Sequence, residues 1–106
     1  MQTAAMTNQI QILKDQILPI LQPYVSRIVL FGSMARGEAD MGSDIDLLVV
    51  LKPSTQRPTL GLRWFALELE LTQQLGRPVD MVTENALSPH VRPFIEQDQV
   101  VLYEEE

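Results

Sequence analysis

The sequence predicts an α/β or α+β domain, a small β-sheet with helices packed on it. Three observations carry that prediction. Short apolar, β-branched runs alternate with stretches whose apolar residues recur every three or four positions, in the order α-β-α-β-α-β-α-β. The 106 residues suit one domain, and a 45% hydrophobic, 21% charged composition is that of an ordinary globular chain. No internal repeat, low-complexity block or Gly/Ser linker divides the chain, so residues 1–106 are read as a single domain.

Met6, Ile10, Leu13, Ile17 and Leu21 form the stripe of an amphipathic first helix, which Pro23 ends. Arg27 to Phe31 (RIVLF) reads as a buried strand. Gly32-Ser33 breaks that run, and Met34 to Glu38 reads as the start of a short helix. Ser43 to Leu51 (SDIDLLVVL) is the most strand-like segment, with a tail apolar enough to be covered on both faces. Lys52 to Pro58, with two prolines, is a solvent loop. Leu60, Trp64, Leu67, Leu71 and Leu75 repeat at helical spacing, and Gly76 stops them. Pro78 to Thr83 (PVDMVT) is a third strand. Ser88-Pro89 starts a last helix, with Ser88 as N-cap, Pro89 at the first helical position and His90 on its surface. Val100 to Tyr103 adds an edge strand, and Glu104, Glu105 and Glu106 form a solvated acidic end. Trp64 reads as core or interface, and Met34 and Met41 as gap fillers or surface residues.

Composition removes several functions. Cysteine is absent, which leaves no disulfide, thiolate metal site or cysteine nucleophile. A single histidine excludes a His-rich metal cluster. Fourteen acidic against 8 basic residues, a net charge of −6, argue against sequence-independent binding of long nucleic acids. No apolar run approaches the roughly 20 residues of a membrane span and no signal peptide is evident at Met1, so a cytoplasmic protein is expected.

The chemistry concentrates in Gly32 to Asp46, GSMARGEADMGSDID. A turn from strand into helix presents unpaired backbone N–H groups to an anion. Glycine at 32 admits a phosphate close to the backbone, the Ser33 hydroxyl adds a donor, and Arg36 lies within reach of the same anion. An ordinary Ser-capped turn would read the same way. On a strand, Asp44 and Asp46 would point to one face, roughly 6–7 Å apart at the backbone. Like charges so placed repel, and a divalent cation with a preference for hard oxygen, Mg²⁺ or Mn²⁺, would relieve them. The alternative is a Ser43/Asp44 turn with Asp46 solvated at the strand start. Asp80 interrupts the apolar strand between Val79 and Met81, which is costly unless it is paired, metal-bound or at a wet rim. It would join the other two carboxylates only if its strand pairs beside theirs in matching register; otherwise it is an ordinary edge-strand aspartate.

Gly32-Ser33, ten intervening residues and then Asp44-x-Asp46 resemble the GS-x10-D-x-D signature of the DNA-polymerase-β-type nucleotidyltransferase superfamily. The fuller string GSMARGEADMGSDIDLLVV, with Ala35-Arg36-Gly37 and Ser43, resembles the minimal nucleotidyltransferases, the MNT proteins, and their MntA-like antitoxins. The resemblance covers most of the chain and implies a small mixed sheet flanked by helices. It also implies a reaction. ATP would lie with its triphosphate over Gly32 and Ser33, with Arg36 and Ser43 among the nucleotide-binding positions. Asp44, Asp46 and Asp80 would be both the catalytic and the metal-binding residues, holding two Mg²⁺ ions. An acceptor hydroxyl would attack the α-phosphorus and pyrophosphate would leave.

MNT proteins pair with HEPN-domain partners as toxin–antitoxin systems, in which AMP is placed on a tyrosine of the HEPN ribonuclease. The resemblance therefore implies a HEPN toxin as partner and ATP as substrate, with homo- or hetero-oligomers open; the lack of a long apolar run leads to the expectation of no membrane partner. Larger members carry extra domains to grip small molecules or RNA; this chain ends about where the core ends, so a protein acceptor or a site shared within an oligomer is expected. The competing reading is a non-catalytic antitoxin that neutralises its partner by binding alone, and a third is a metal-free nucleotide sensor.

Overall fold

The computed structural model describes residues 2–37 and 43–105, with side chains from residue 8 onward. Met41, Glu106 and the side chain of Met6 lie outside the described residues. The elements follow the predicted order: α1 (Gln2–Leu21), β1 (Val25–Phe31), α2 (Gly32–Arg36), β2 (Ile45–Leu51), α3 (Arg63–Leu75), β3 (Val79–Thr83), α4 (Arg92–Asp98) and β4 (Val100–Glu104). The strands form one mixed sheet in the order β3-β2-β1-β4. β1 pairs antiparallel with β2 and with β4, whereas β2 and β3 are parallel. A parallel pair needs a crossover rather than a hairpin, and α3 supplies it.

The alternation of side chains along each strand divides the core unequally. Ile28 and Leu30 of β1, Ile45, Leu47 and Val49 of β2, and Val79 and Met81 of β3 face α1 and α3. There Leu13, Ile17 and Leu21 of α1 meet Leu67 and Leu71 of α3, each buried, so the predicted stripes are the faces that pack. Each fully buried Leu or Ile contributes about 1.5–3 kcal/mol. The opposite face is thin: Val29, Leu48 and Ile95 form its centre, with Phe31, Val82 and Leu87 around them. α4 covers it through Ile95. Leu47, Leu48 and Val49 are consecutive and all buried, because β2 is covered on both faces at that point.

Several boundaries differ from those expected. β2 begins at Ile45, so Ser43 and Asp44 precede the strand. α2 begins at Gly32 and ends at Arg36, where Gly37 takes a left-handed φ of 72°. The last helix starts at Arg92 with Val91 as N-cap. Ser88 is not the cap: its Oγ accepts the N–H of His90 at 3.2 Å, a local turn that competes with helix initiation. Pro93, not Pro89, occupies the first helical turn, and His90 is exposed in the preceding turn. Trp64 and Met34 are partly buried against the larger core.

β3 and β4 are the sheet's edges. The β3 edge is closed by α3: the Val79 N–H donates to Thr72 Oγ1 at 3.1 Å, and the Met81 N–H to Glu68 Oε2 at 2.9 Å. These outward N–H groups would otherwise template pairing with another chain. Among the described residues, no helix is long and apolar enough to cross a membrane.

Candidate active site at the head of strands β1, β2 and β3

Strand register gathers the predicted residues. Asp46, the second residue of β2, pairs with Phe31 on one side and with Asp80 of β3 on the other. In a parallel pair, register partners present side chains to the same face, so the two carboxylates are cross-strand neighbours. That face is the thin one, shared with Leu48 and Val82. Because β1 ends at Phe31, the next residue, Gly32, falls directly against Asp46.

The contact at Gly32 is close. Its φ is 77°, and a Cβ added there would run into the Asp46 carboxylate, with Asp46 Cγ at 3.2 Å. Only glycine combines that left-handed backbone with so near a side chain. The Ser33 hydroxyl is not a helix cap: the N-cap position belongs to Phe31, which makes no side-chain cap bond. With five residues, α2 has little macrodipole, so any attraction for an anion at this turn would rest on backbone N–H groups and on Arg36. Arg36 stands in the last turn of α2, with Nη1 3.8 Å from Asp98 Oδ2 of α4.

Electrostatics reports the same convergence. The Asp46 carboxyl is raised above its ordinary value, first by burial, then by the charges of Asp80 and Asp44, while Arg36 opposes the shift. The half-buried Asp46 thus lies within Coulombic range of all three. Asp44, two residues earlier and just ahead of β2, is exposed, and so is Asp80. The apolar neighbours of Asp80 in sequence, Val79 and Met81, turn to the other face, so its carboxylate sits at a wet rim. Asp80 stands on an edge strand and is also the register partner of Asp46, whereas Asp44 precedes β2 and does not share that sheet register. Ser43 is partly buried just ahead of Asp44.

Among the described residues, no three acidic or histidine side chains are arranged closely enough to hold a metal ion as they stand. The donor type fits a hard divalent cation, since the group is all-oxygen and mutually repelling. Among the described residues, Asp98 is a neighbour of Arg36 that sequence reading missed. It lies 62 residues beyond Arg36 and no local pattern marks it; only the packing of α4 against α2 brings it near.

Comparison with known proteins agrees with this geometry. The "Nucleotidyltransferase domain" family matches residues 10–102. Two candidate protein adenylyltransferases of Methanocaldococcus jannaschii are similar to the chain. MJ0435 is 36% identical over 89 residues, 83% of this chain and 91% of that protein. MJ1217 is 37% identical over 79 residues, 74% of this chain and 76% of that protein. Among solved structures, a candidate minimal nucleotidyltransferase aligns with a TM-score of 0.67 and 34% identity, over 82% of this chain and 86% of that one. A crystal structure of a toxin–antitoxin with AMP-PNP aligns with a TM-score of 0.71 and 25% identity, over 88% of this chain and 74% of that one. The mixed sheet flanked by helices is therefore shared architecture, and this chain belongs to the nucleotidyltransferase domain family as a minimal nucleotidyltransferase.

Proposed function

We propose that residues 1–106 act as one catalytic domain in the cytoplasm, an antitoxin that transfers AMP from ATP to a tyrosine hydroxyl of a HEPN ribonuclease toxin, with Mg²⁺. One observation carries the reading: Asp46 and Asp80 are register partners beside Gly32, so an aspartate from each of two neighbouring strands meets a glycine turn that could admit a phosphate. The AMP-PNP of a structural neighbour and the adenylyltransferase names of the relatives support the donor and the transferred group.

Each residue then has a task. Gly32 leaves the backbone open to the triphosphate, the Ser33 hydroxyl donates to a phosphate oxygen, and the Arg36 guanidinium neutralises phosphate charge while Asp98 steadies it. Ser43 borders the nucleotide at the entrance to β2. Asp44, Asp46 and Asp80 are the ligands that would hold Mg²⁺, which when bound offsets the charge developing on the phosphates and eases loss of the acceptor proton. Asp80, exposed on the edge strand, receives that proton as the tyrosine oxygen bonds to the α-phosphorus and the bond to pyrophosphate breaks. The net charge of −6 suits a basic, RNA-cutting partner.

The test is transfer of label from α-³²P ATP to a HEPN protein with Mg²⁺ present. Wild type labels the toxin and Asp44→Ala/Asp46→Ala does not. Equal labelling by both proteins, or none by either, rejects the reading. Loss of labelling with neutralisation intact would instead establish an antitoxin that acts by binding alone.

A further inference from the structure

Helix α3 has two apolar sides. Trp64, Leu67 and Leu71 face the core. On the opposite side, Leu62, Phe65 and Leu69 are 84%, 64% and 58% exposed. Spacings of three and four residues align them in one stripe. Their exposed fractions equal about two whole large side chains, on the order of 400 Å², the patch size that marks an interaction site. One flank of the stripe is committed, because Glu68 and Thr72 bind the β3 edge. The other flank carries Arg63 and Glu70, both exposed and two helical turns apart.

We propose that two copies of this chain pair through this solvent face of α3, antiparallel about a two-fold axis near Ala66. Such an axis sets residues of the two copies opposite each other at a nearly constant sum of residue numbers, here about 133 to 134. With the axis there, Phe65 of each copy packs beside Leu69 of the other, and Arg63 of each meets Glu70 of the other on a shared flank. Ala66, small and exposed at the axis, lets the helices approach closely. A two-fold interface must be complementary to itself in charge as well as shape, and the Arg63/Glu70 flank satisfies that condition. Two reciprocal ion pairs also offset, at the contact, the repulsion between copies that each carry −6. Two stripes fully covered bury about 800 Å² of apolar surface, and the charged flanks bring the total to about 1,000 Å², the lower threshold for a biological interface and the scale of a weak dimer. α3 lies on the sheet face opposite Asp46 and Asp80, so pairing leaves the active site open.

Sedimentation equilibrium of the full chain across concentrations tests this. Wild type dimerises, and Phe65→Glu stays monomeric throughout. Glu70→Arg, which sets arginine against arginine twice, weakens the dimer about tenfold. Arg63→Glu/Glu70→Arg, which restores both pairs in reverse, recovers it. Thermal melting checks that each variant folds, the double variant especially, since Arg63 Nε donates to the Tyr24 hydroxyl at 2.6 Å. A wild type that is monomeric at all concentrations overturns the proposal, as does a folded double variant no tighter than Glu70→Arg. So does a monomeric wild type whose binding to a toxin is lost in Phe65→Glu, because the stripe then serves that partner.

Discussion

Replacing Gly32 by alanine separates what the glycine does for the backbone from what it does for the site. Gly32 and Gly76 both hold left-handed backbone, with φ of 77° and 70°. A side chain there costs about 1–2 kcal/mol in either place. At about 4–8 °C per kcal/mol for a domain of this size, both alanine variants melt several degrees lower. The surroundings differ. At Gly76 an added Cβ meets nothing within 4 Å, whereas at Gly32 it meets the Asp46 carboxylate. The obstructing atoms are the end of a short side chain, so Asp46 rotates away instead of the strand moving. The added cost then falls on the site: a displacement of about 1 Å at reacting groups lowers rate about 100-fold. Urea unfolding and pyrophosphate release, measured on both variants, should show comparable losses of stability but a loss of activity only in Gly32→Ala. If Gly32→Ala keeps activity within about threefold of Gly76→Ala, Asp46 is not held against the glycine as described.

Three further outcomes are expected. Because the folded state raises the Asp46 carboxyl, it holds that proton more tightly than the unfolded chain, and stability falls as pH rises from about 4 through the raised value. Asp46→Asn should therefore melt above wild type at neutral pH, with the gap closing below about pH 4; a gap independent of pH contradicts the assignment. Magnesium or manganese should raise the melting temperature of wild type, by an amount equivalent to about 2.7 kcal/mol at a hundredfold excess over Kd, and that of Asp46→Asn/Asp80→Asn much less. Equal shifts in the two proteins would remove the carboxylates from the metal site. Thr72→Val leaves the Val79 N–H without its acceptor and should cost about 1–3 kcal/mol in urea unfolding. No measurable loss would mean that α3 does not close the β3 edge through that bond.

Much of the fold is legible in the chain because it is written in local periodicity. Leu13, Ile17 and Leu21, or Leu67 and Leu71, can share a helix face in only one way, and those faces are the buried ones. Val100 to Tyr103 is short and terminal, and it is an edge strand. Local chemistry misleads where two local structures compete. The Ser88 hydroxyl satisfies the N–H of His90 instead of opening a helix, so α4 begins four residues later, at Arg92.

The sequence by itself determined which residues carry charge, aspartates at 44, 46 and 80 among them, and where a glycine-serine pair interrupts the first strand, at Gly32-Ser33. Only the tertiary structure decided that Asp80 stands beside Asp46, that Asp98 reaches Arg36, and that Leu62, Phe65 and Leu69 are left in water. The physical reason is range. Side-chain periodicity acts over a few residues, whereas register is set by how β2 and β3 settle across the helix joining them, and a slip of one residue would turn Asp80 to the opposite face of the sheet.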